Sequence, residues 1–283
     1  MERISFYIPA YNAQNTISYA LDSLLRQTHK IDEIIVIDDN SLDKTFDIVK
    51  KYDFVKLIKN QTNLGLGFNR NLAIKNCKND IIGSIDADVE LDKNWLEILL
   101  GQIEKNNIVM CGGNMIEKKI DNKINLWRAK YYSQNWGEKF ILNPPFLYGC
   151  NTLLRKSAWK NVNGYDESLK TNGEDVDFIN KIKSHQNYQT IYQPDAKCYH
   201  LQDDDIESLT NRIWRYHSFG YKIKKPSFKK FLKLSIKQSR FFLIRFFKSL
   251  IKFNLINIKI SFKVLIKFIK LEYKSLNTKK LKF

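Results

Sequence analysis

Residues 4–44 read ISFYIPAYNAQNTISYALDSLLRQTHKIDEIIVIDDNSLDK. Ile4 to Ile8 is a short apolar run, Ile17, Ala20, Leu21, Leu24 and Leu25 recur at helical spacing, and Glu33 to Ile37 is a second, buried run. A helix between two strands implies parallel pairing, because antiparallel neighbours need only a hairpin. The alternation continues outward. Ser41 stands where an N-cap would, before a helix through Phe46 and Val49; Val55 to Ile58 reads as a third strand, Phe68 to Lys75 as a helix, Ile81 to Ile85 as a fourth strand and Trp95 to Ile103 as a helix. This is an α/β domain with a mostly parallel sheet flanked by helices.

Ligands of such sheets bind beyond the C-terminal ends of the strands. Three polar loops fall there: Pro9-Ala10-Tyr11-Asn12, Asp38-Asp39-Asn40-Ser41 and Asp86-Ala87-Asp88. Taken alone, the last could be a metal site or a strand-ending acidic turn. Residues 112–200 are less regular, punctuated by Gly112, Gly113, Pro144, Pro145, Gly149, Gly164 and Gly173. They read as the second half of the same domain, with an aromatic segment (Trp127, Tyr131, Tyr132, Trp136) that could line a cleft or simply pack in the core.

Charge divides the chain. Of 47 Lys and Arg, 19 lie between Lys222 and Phe283 against the single acid Glu272, whereas the first 221 residues hold 28 bases and 29 acids. The expected organisation is a domain over 1–221 and a basic tail over 222–283. Cys77, Cys111, Cys150 and Cys198 form no C-x-x-C pair, so neither a zinc pattern nor a disulfide framework is indicated. The apolar run at the N-terminus is too short for a secretory signal and no stretch reaches the roughly 20 apolar residues of a spanning helix, which points to the cytoplasmic side.

With PAYN, VIDDNSLDKT, NLGLGFNRNLAIK, IGSIDADVELDKNWL, YGCNTLLRKSAWKNVNGYDESL and NGEDVDFINKI in this order, the chain resembles family 2 glycosyltransferases of the Rossmann-like GT-A fold over roughly residues 3–200. The resemblance implies an inverting, metal-dependent transferase using a UDP-linked nucleotide-sugar donor and a glycan or lipid-linked glycan acceptor in surface-polysaccharide synthesis. It implies Asp88 as a ligand of Mn²⁺ or Mg²⁺, and Asp86 on the ribose or on the metal through water. Hard carboxylate oxygens suit either ion. Asp39 would accept from the pyrimidine imide, with Asp38 the alternative, while Pro9, Tyr11 and Asn12 frame the base and Arg70 lies within reach of the nucleotide. Asp175, with Glu174 beside it, would be the general base, Asp177 the alternative, and His200 a further metal ligand. A base at a helix N-terminus has its pKa lowered, so desolvation would have to offset that position.

Processive synthases of the family carry Q-x-x-R-W between membrane helices; here the comparable segment is Asn211-Arg212-Ile213-Trp214-Arg215, which implies single-sugar transfer. Transfer to a polyprenyl phosphate, or a non-catalytic nucleotide-sugar-binding protein, stays open.

Within the tail, Phe228, Phe231, Leu232, Ile236, Phe242, Leu243, Phe246, Phe247 and Leu250 share one side of a helical wheel and Lys229, Lys230, Lys233, Lys237, Arg240, Lys248 and Lys252 the other. This predicts a helix lying peripherally on an anionic membrane surface rather than a nucleic-acid binder, since densely interleaved aliphatic and Phe residues carry no nucleic-acid motif. Residues 254–283 fit either a lysine-striped helix or, over Ile256 to Val264, a strand.

Overall fold

The computed structural model describes residues 2–105, 107–223, 236, 240, 243, 244, 247, 248, 250 and 255–277. They form two compact units, one of Met1–Lys118 and Ser133–Gln202, the other of Lys119–Tyr132 and Asp203–Phe283.

The first unit is built on β1 (Ile4–Ala10), β2 (Glu33–Asp38), β3 (Val55–Lys59), β4 (Ile81–Ile85), β5 (Val89–Leu91), β6 (Ile108–Glu117), β7 (Ile141–Leu142), β8 (Asn151–Arg155) and β9 (Gln189–His200). Its helices are α1 (Ile17–Leu25), α2 (Thr45–Val49), α3 (Leu66–Asn76), α4 (Trp95–Ile103), α6 (Lys156–Asn161) and α7 (Glu174–Lys183). All seven residues of β1 are buried. Phe6 and Ile8 pack with Leu21 of α1 and Trp95 and Leu99 of α4. Tyr7 packs with Ile74 of α3 and Phe178 of α7 on the opposite face. Successive strand side chains alternate between faces, so a strand covered on both sides must be apolar throughout.

The strands run in the order β3-β2-β1-β4-β8-β6-β9-β5, with β7 on β9. The pairs β1–β2, β1–β4 and β2–β3 are parallel, as the alternation in residues 4–85 requires. The other half is mixed: β8 is antiparallel to β4 and β6, β9 is antiparallel to β5 and β7, and β6 runs parallel to β9. The α/β class holds, and the antiparallel strands come from the stretch where glycines and prolines interrupt the periodicity. Gly83 opposes Phe6 across β1 and β4. A Cβ there would lie 2.3 Å from the Phe6 ring, which leans edge-on against Trp95 with centroids 6.0 Å apart. That close approach requires a glycine inside the strand.

Ser41 does not cap α2. Its Oγ accepts the Asn12 amide at 3.0 Å, and the helix begins at Thr45, whose amide donates to Asp43 Oδ1 at 2.9 Å. Ser41 therefore ties the loop after β1 to the loop after β2.

The second unit contains α5 (Lys123–Tyr131), α8 (Ile206–Ile223) and α9 (Leu255–Asn277) around Trp127, Leu209, Ile213, Trp214, Ile260 and Val264. Ile256 to Val264 is thus helical; the every-third-or-fourth spacing of Ile260 and Val264 against this core decides it. The aromatic segment is divided: Trp127, Tyr131 and Tyr132 pack in this unit, whereas Trp136 packs with Phe146 and Tyr148 in the first. Of the predicted wheel, Ile236, Arg240, Leu243, Phe247, Lys248 and Leu250 are helical. Phe228, Phe231, Leu232, Phe242, Phe246, Lys229, Lys230, Lys233, Lys237 and Lys252 lie outside the described residues. Among the described residues no helix is long and apolar enough to cross a membrane. All four cysteines are buried free thiols.

Candidate active site

The three polar loops meet at the C-terminal edge of the parallel strands. Asp39 donates its amide to Ala10 O at 2.8 Å, and the Leu42 amide donates to Asn12 Oδ1 at 2.8 Å. Asn12 and Asn40 have φ of 51° and 62°, the left-handed region that asparagine tolerates better than most residues. Pro9 is buried in β1, while Tyr11 next to it is half-exposed on the loop.

Asp39 is buried and accepts from Asn60 Nδ2 and the Leu64 amide at 2.8 Å through Oδ1, and from the Gly65 amide at 2.9 Å through Oδ2. A carboxylate offers about four acceptor positions. Asp39 therefore fastens the chain entering α3 and keeps little spare capacity. Gly65 has φ of 90°, and a Cβ on it would fall 2.6 Å from Lys170, so the loop into α3 needs a glycine. Asp38 is also buried, its Oδ1 accepting the Ser41 amide at 3.3 Å.

Arg70 is placed by α3 inside the protein, with 1% of its side chain exposed. Its guanidinium donates to Ser84 Oγ at 2.8 Å, to Gly149 O at 2.9 Å, to Asp86 Oδ1 at 3.0 Å and to Glu174 Oε1 at 3.3 Å. One planar fork therefore joins the end of β4, the loop before β8 and the start of α7, a geometry lysine lacks. A Cβ on Gly149 would come within 3.0 Å of this guanidinium. Burial opposes the charge of Arg70, but Asp86 and Glu174 hold it and raise its pKa further.

Asp175 accepts the Gly149 amide at 3.3 Å through Oδ2 and the Val176 amide at 2.7 Å through Oδ1. The helix N-terminus and Arg70 favour its charged form, yet burial outweighs them and its pKa is raised. The desolvation that a base at this position needs is already present. Glu174 is buried and its Oε2 has no hydrogen-bond partner among the described residues. Burial, then the neighbouring Asp175 charge, push its pKa up to about 8 against the pull of Arg70. Burial likewise raises Asp86 despite Arg70. Asp177 faces Lys181 at 2.9 Å, one helical turn on.

Asp88 and His200 are joined by the antiparallel register of β5 on β9, which pairs Val89 with His200. Asp88 Oδ2 lies 3.3 Å from His200 Nε2, and Glu117 Oε2 lies 2.9 Å from Nδ1. Burial disfavours the imidazolium, but the two carboxylates flanking it push the pKa up to about 9. A carboxylate on the far ring nitrogen is how proteins orient a metal-ligating imidazole. Asp88 Oδ2 and His200 Nε2 are ion-paired with each other, and one hard oxygen with one borderline nitrogen suits Mn²⁺ once the imidazole has lost its proton. Among the described residues no group of three His, Cys, Asp or Glu is arranged to hold a metal ion.

The family model for glycosyl transferase family 2 matches residues 5–162. This chain belongs to that family. The matched region spans the three polar loops and ends before Glu174, Asp175 and His200. An uncharacterized glycosyltransferase of Rickettsia typhi is 34% identical over 59% of this chain and 54% of its own length. Chondroitin synthase of Escherichia coli is 29% identical over 63% of this chain and 26% of its own. An Escherichia coli UDP-Glc:alpha-D-GlcNAc-diphosphoundecaprenol beta-1,3-glucosyltransferase is 36% identical over 39% of this chain and 45% of its own. The chain thus spans about half, or less, of the length of these curated relatives. In fold it is similar to Staphylococcus aureus TarS 1-349, with a TM-score of 0.59 at 17% identity over 99% of this chain and 94% of that one.

Sequence reasoning named Asp86, Asp88, Glu174, Asp175, Arg70 and His200; the structure joins Asp86, Arg70 and Glu174 in one set with Asp175 beside Glu174, and Asp88 with His200 in another. It missed Glu117, Ser84, Gly149 and Asn60. Glu117 ends a strand that opens with the apolar run Ile108 to Cys111, and that terminal position was its one available signal.

Proposed function

We propose that this family 2 enzyme moves a single sugar, with inversion, from a UDP-linked donor to a hydroxyl of a glycan or lipid-linked glycan. The observation that carries the reading is the Arg70 bridge, which fixes the donor-side Asp86 and the Glu174-Asp175 pair at the start of α7 in one rigid network. The name of the Escherichia coli glucosyltransferase relative supports UDP and a lipid-diphosphate-linked glycan as the donor and acceptor classes.

Asp175 takes the proton of the acceptor hydroxyl as its oxygen attacks the anomeric carbon. The bond from that carbon to the diphosphate oxygen breaks with its electron pair going to the departing nucleoside diphosphate. The raised pKa makes the Asp175 carboxylate a stronger base than an exposed aspartate. Glu174 and Arg70 are positioning residues: Arg70 holds Asp86 toward the donor ribose, and Glu174 anchors the other side of the fork. Asp88 and His200 would hold a divalent cation, with Glu117 orienting the imidazole; when bound, such an ion supplies Lewis-acid stabilisation of the leaving diphosphate. Asp39, Asn12, Pro9 and Tyr11 form the nucleoside end, where the carboxylate of Asp39 secures the loop on which α3 begins.

Asp175→Asn is expected to reduce transfer to a hydroxyl acceptor by about 10²–10⁴-fold while leaving donor affinity, read by calorimetry, unchanged. Turnover at the wild-type rate would remove Asp175 as the base. Donor hydrolysis measured across UDP-, GDP- and dTDP-sugars should be fastest with UDP and lost on chelation; activity surviving the chelator would remove the metal role of Asp88 and His200.

A further inference from the structure

From Ile236 to Lys270 the chain has nine Lys and Arg and no Asp or Glu. The core-facing side of α9 is spent on Ile260, Ser261 and Val264, which are buried with Trp127, Leu209 and Ile213. Its other side carries exposed apolar residues. Leu255 is 76% exposed, Phe262 51%, Ile266 38% and Ile269 50%. Lys259, Lys263 and Lys270 are exposed along the same helix. The described residues upstream share this character: Ile236, Leu243, Ile244, Phe247 and Leu250 are exposed, as are Arg240 and Lys248.

We infer that the outer face of α9 lies on an anionic lipid surface, its aliphatic side chains entering the acyl boundary and its lysines contacting the headgroups. Three features of the face select this occupant. Large apolar side chains recur on the solvent side at helical spacing, which a free surface disfavours and an interfacial helix requires. Every charged residue of the stretch is a cation, so the complementary partner is anionic. On the helical wheel Lys259, Lys263 and Lys270 form a strip directly beside the arc of Leu255, Phe262, Ile266 and Ile269, and their long stems let the ammonium groups rise to headgroup level while the aliphatic groups stay below. A phosphate backbone would satisfy the lysines but leave Leu255, Ile266 and Ile269 in water. A second copy of the same face would set lysines against lysines. The inference stands on the second unit alone and does not depend on the chemistry assigned to the first.

Flotation of the full-length protein with phosphatidylcholine vesicles, with and without phosphatidylglycerol, tests this. The protein should float with the anionic vesicles and stay down with neutral ones. Lys259→Gln/Lys263→Gln/Lys270→Gln should lower the apparent affinity by about a hundredfold at low salt. Leu255→Gln/Ile266→Gln/Ile269→Gln should lower it at least about tenfold with all cations kept. Both sets replace exposed positions, and circular dichroism checks that each variant keeps its helix content. Three results would overturn the inference: equal flotation of the apolar variant and the wild type, retardation of duplex nucleic acid at a salt concentration where vesicles are not bound, and a concentration-dependent dimer that the apolar substitutions abolish without changing flotation.

Discussion

Each unit buries one arginine against carboxylates. Arg70 and Arg128 are both 1% exposed, but their partners differ: Asp86 keeps 31% of its side chain accessible, whereas Asp204 keeps none. Arg128 donates to Asp204, which Arg212 also approaches at 3.5 Å, and the amide of Asp204 donates to Asn125 Oδ1 at 2.9 Å. That network is buried and fixes the turn into α8. The network of Arg70 opens through Asp86 to solvent on one side and through Glu174 to Asp175 on the other. The same buried ion pair is thus a staple in one unit and a coupling between two functional groups in the other. The pKa shifts separate them as well. Asp204 is lowered because Arg212 and Arg128 outweigh its burial, whereas Glu174 and Asp86 are raised because burial outweighs Arg70.

The largest effect is expected in the staple. Arg128→Met leaves Asp204 buried with half its cationic partners and should cost about 3–5 kcal/mol of stability, read by denaturant unfolding. Donor turnover per folded molecule should stay at the wild-type value, and a fall in that quantity would end the distinction between the two arginines. Arg70→Lys is the converse test. An ammonium cannot serve Asp86, Glu174, Ser84 and Gly149 together, and a displacement of the order of 1 Å at a reacting group can cost about a hundredfold in rate. Transfer should fall by about that factor while the unfolding midpoint moves far less than in Arg128→Met; equal damage to both readouts would make Arg70 a staple too.

The smallest effect is a difference in pH slope. Glu174 has its folded pKa raised, so its contribution to stability is full below the unfolded value of 4.5 and is lost as pH rises toward about 8. Asp204 has its folded pKa lowered, so its contribution is full above the unfolded value of 3.8 and is lost as pH falls through the folded value. Between pH 5 and 8 the melting temperature of Glu174→Gln should therefore decline less than that of the wild type. Parallel curves would mean that Arg70 fully neutralises Glu174 in the fold.

Much of the first unit was legible because it is local. β1, β2 and β4 follow from runs of five to seven buried residues and β3 from a short alternating run of partly buried ones, with helical spacing between them, and three acidic or polar loops had to land on one edge once the strands were parallel. The second half of the sheet was not legible. β8 and β9 are defined by partners far away in sequence, as when Ile82 pairs with Leu154, and their composition carries no period of its own. Ser41 was misplaced for a related reason: its hydroxyl is taken by Asn12, a residue 29 positions earlier, before the local helix can use it.

The order of motifs, the α/β class, the charge asymmetry and the candidate acids Asp86, Asp88 and Asp175 were determined by the sequence alone, since each is a property of neighbouring residues or of composition. Tertiary structure decided what those residues do to one another. It buried Arg70 between Asp86 and Glu174, set Glu117 behind His200, let desolvation override the helix N-terminus at Asp175, and chose helix over strand for residues 256–264. Each outcome depends on burial and on partners that only the folded chain brings within hydrogen-bond distance, and local propensity contains neither.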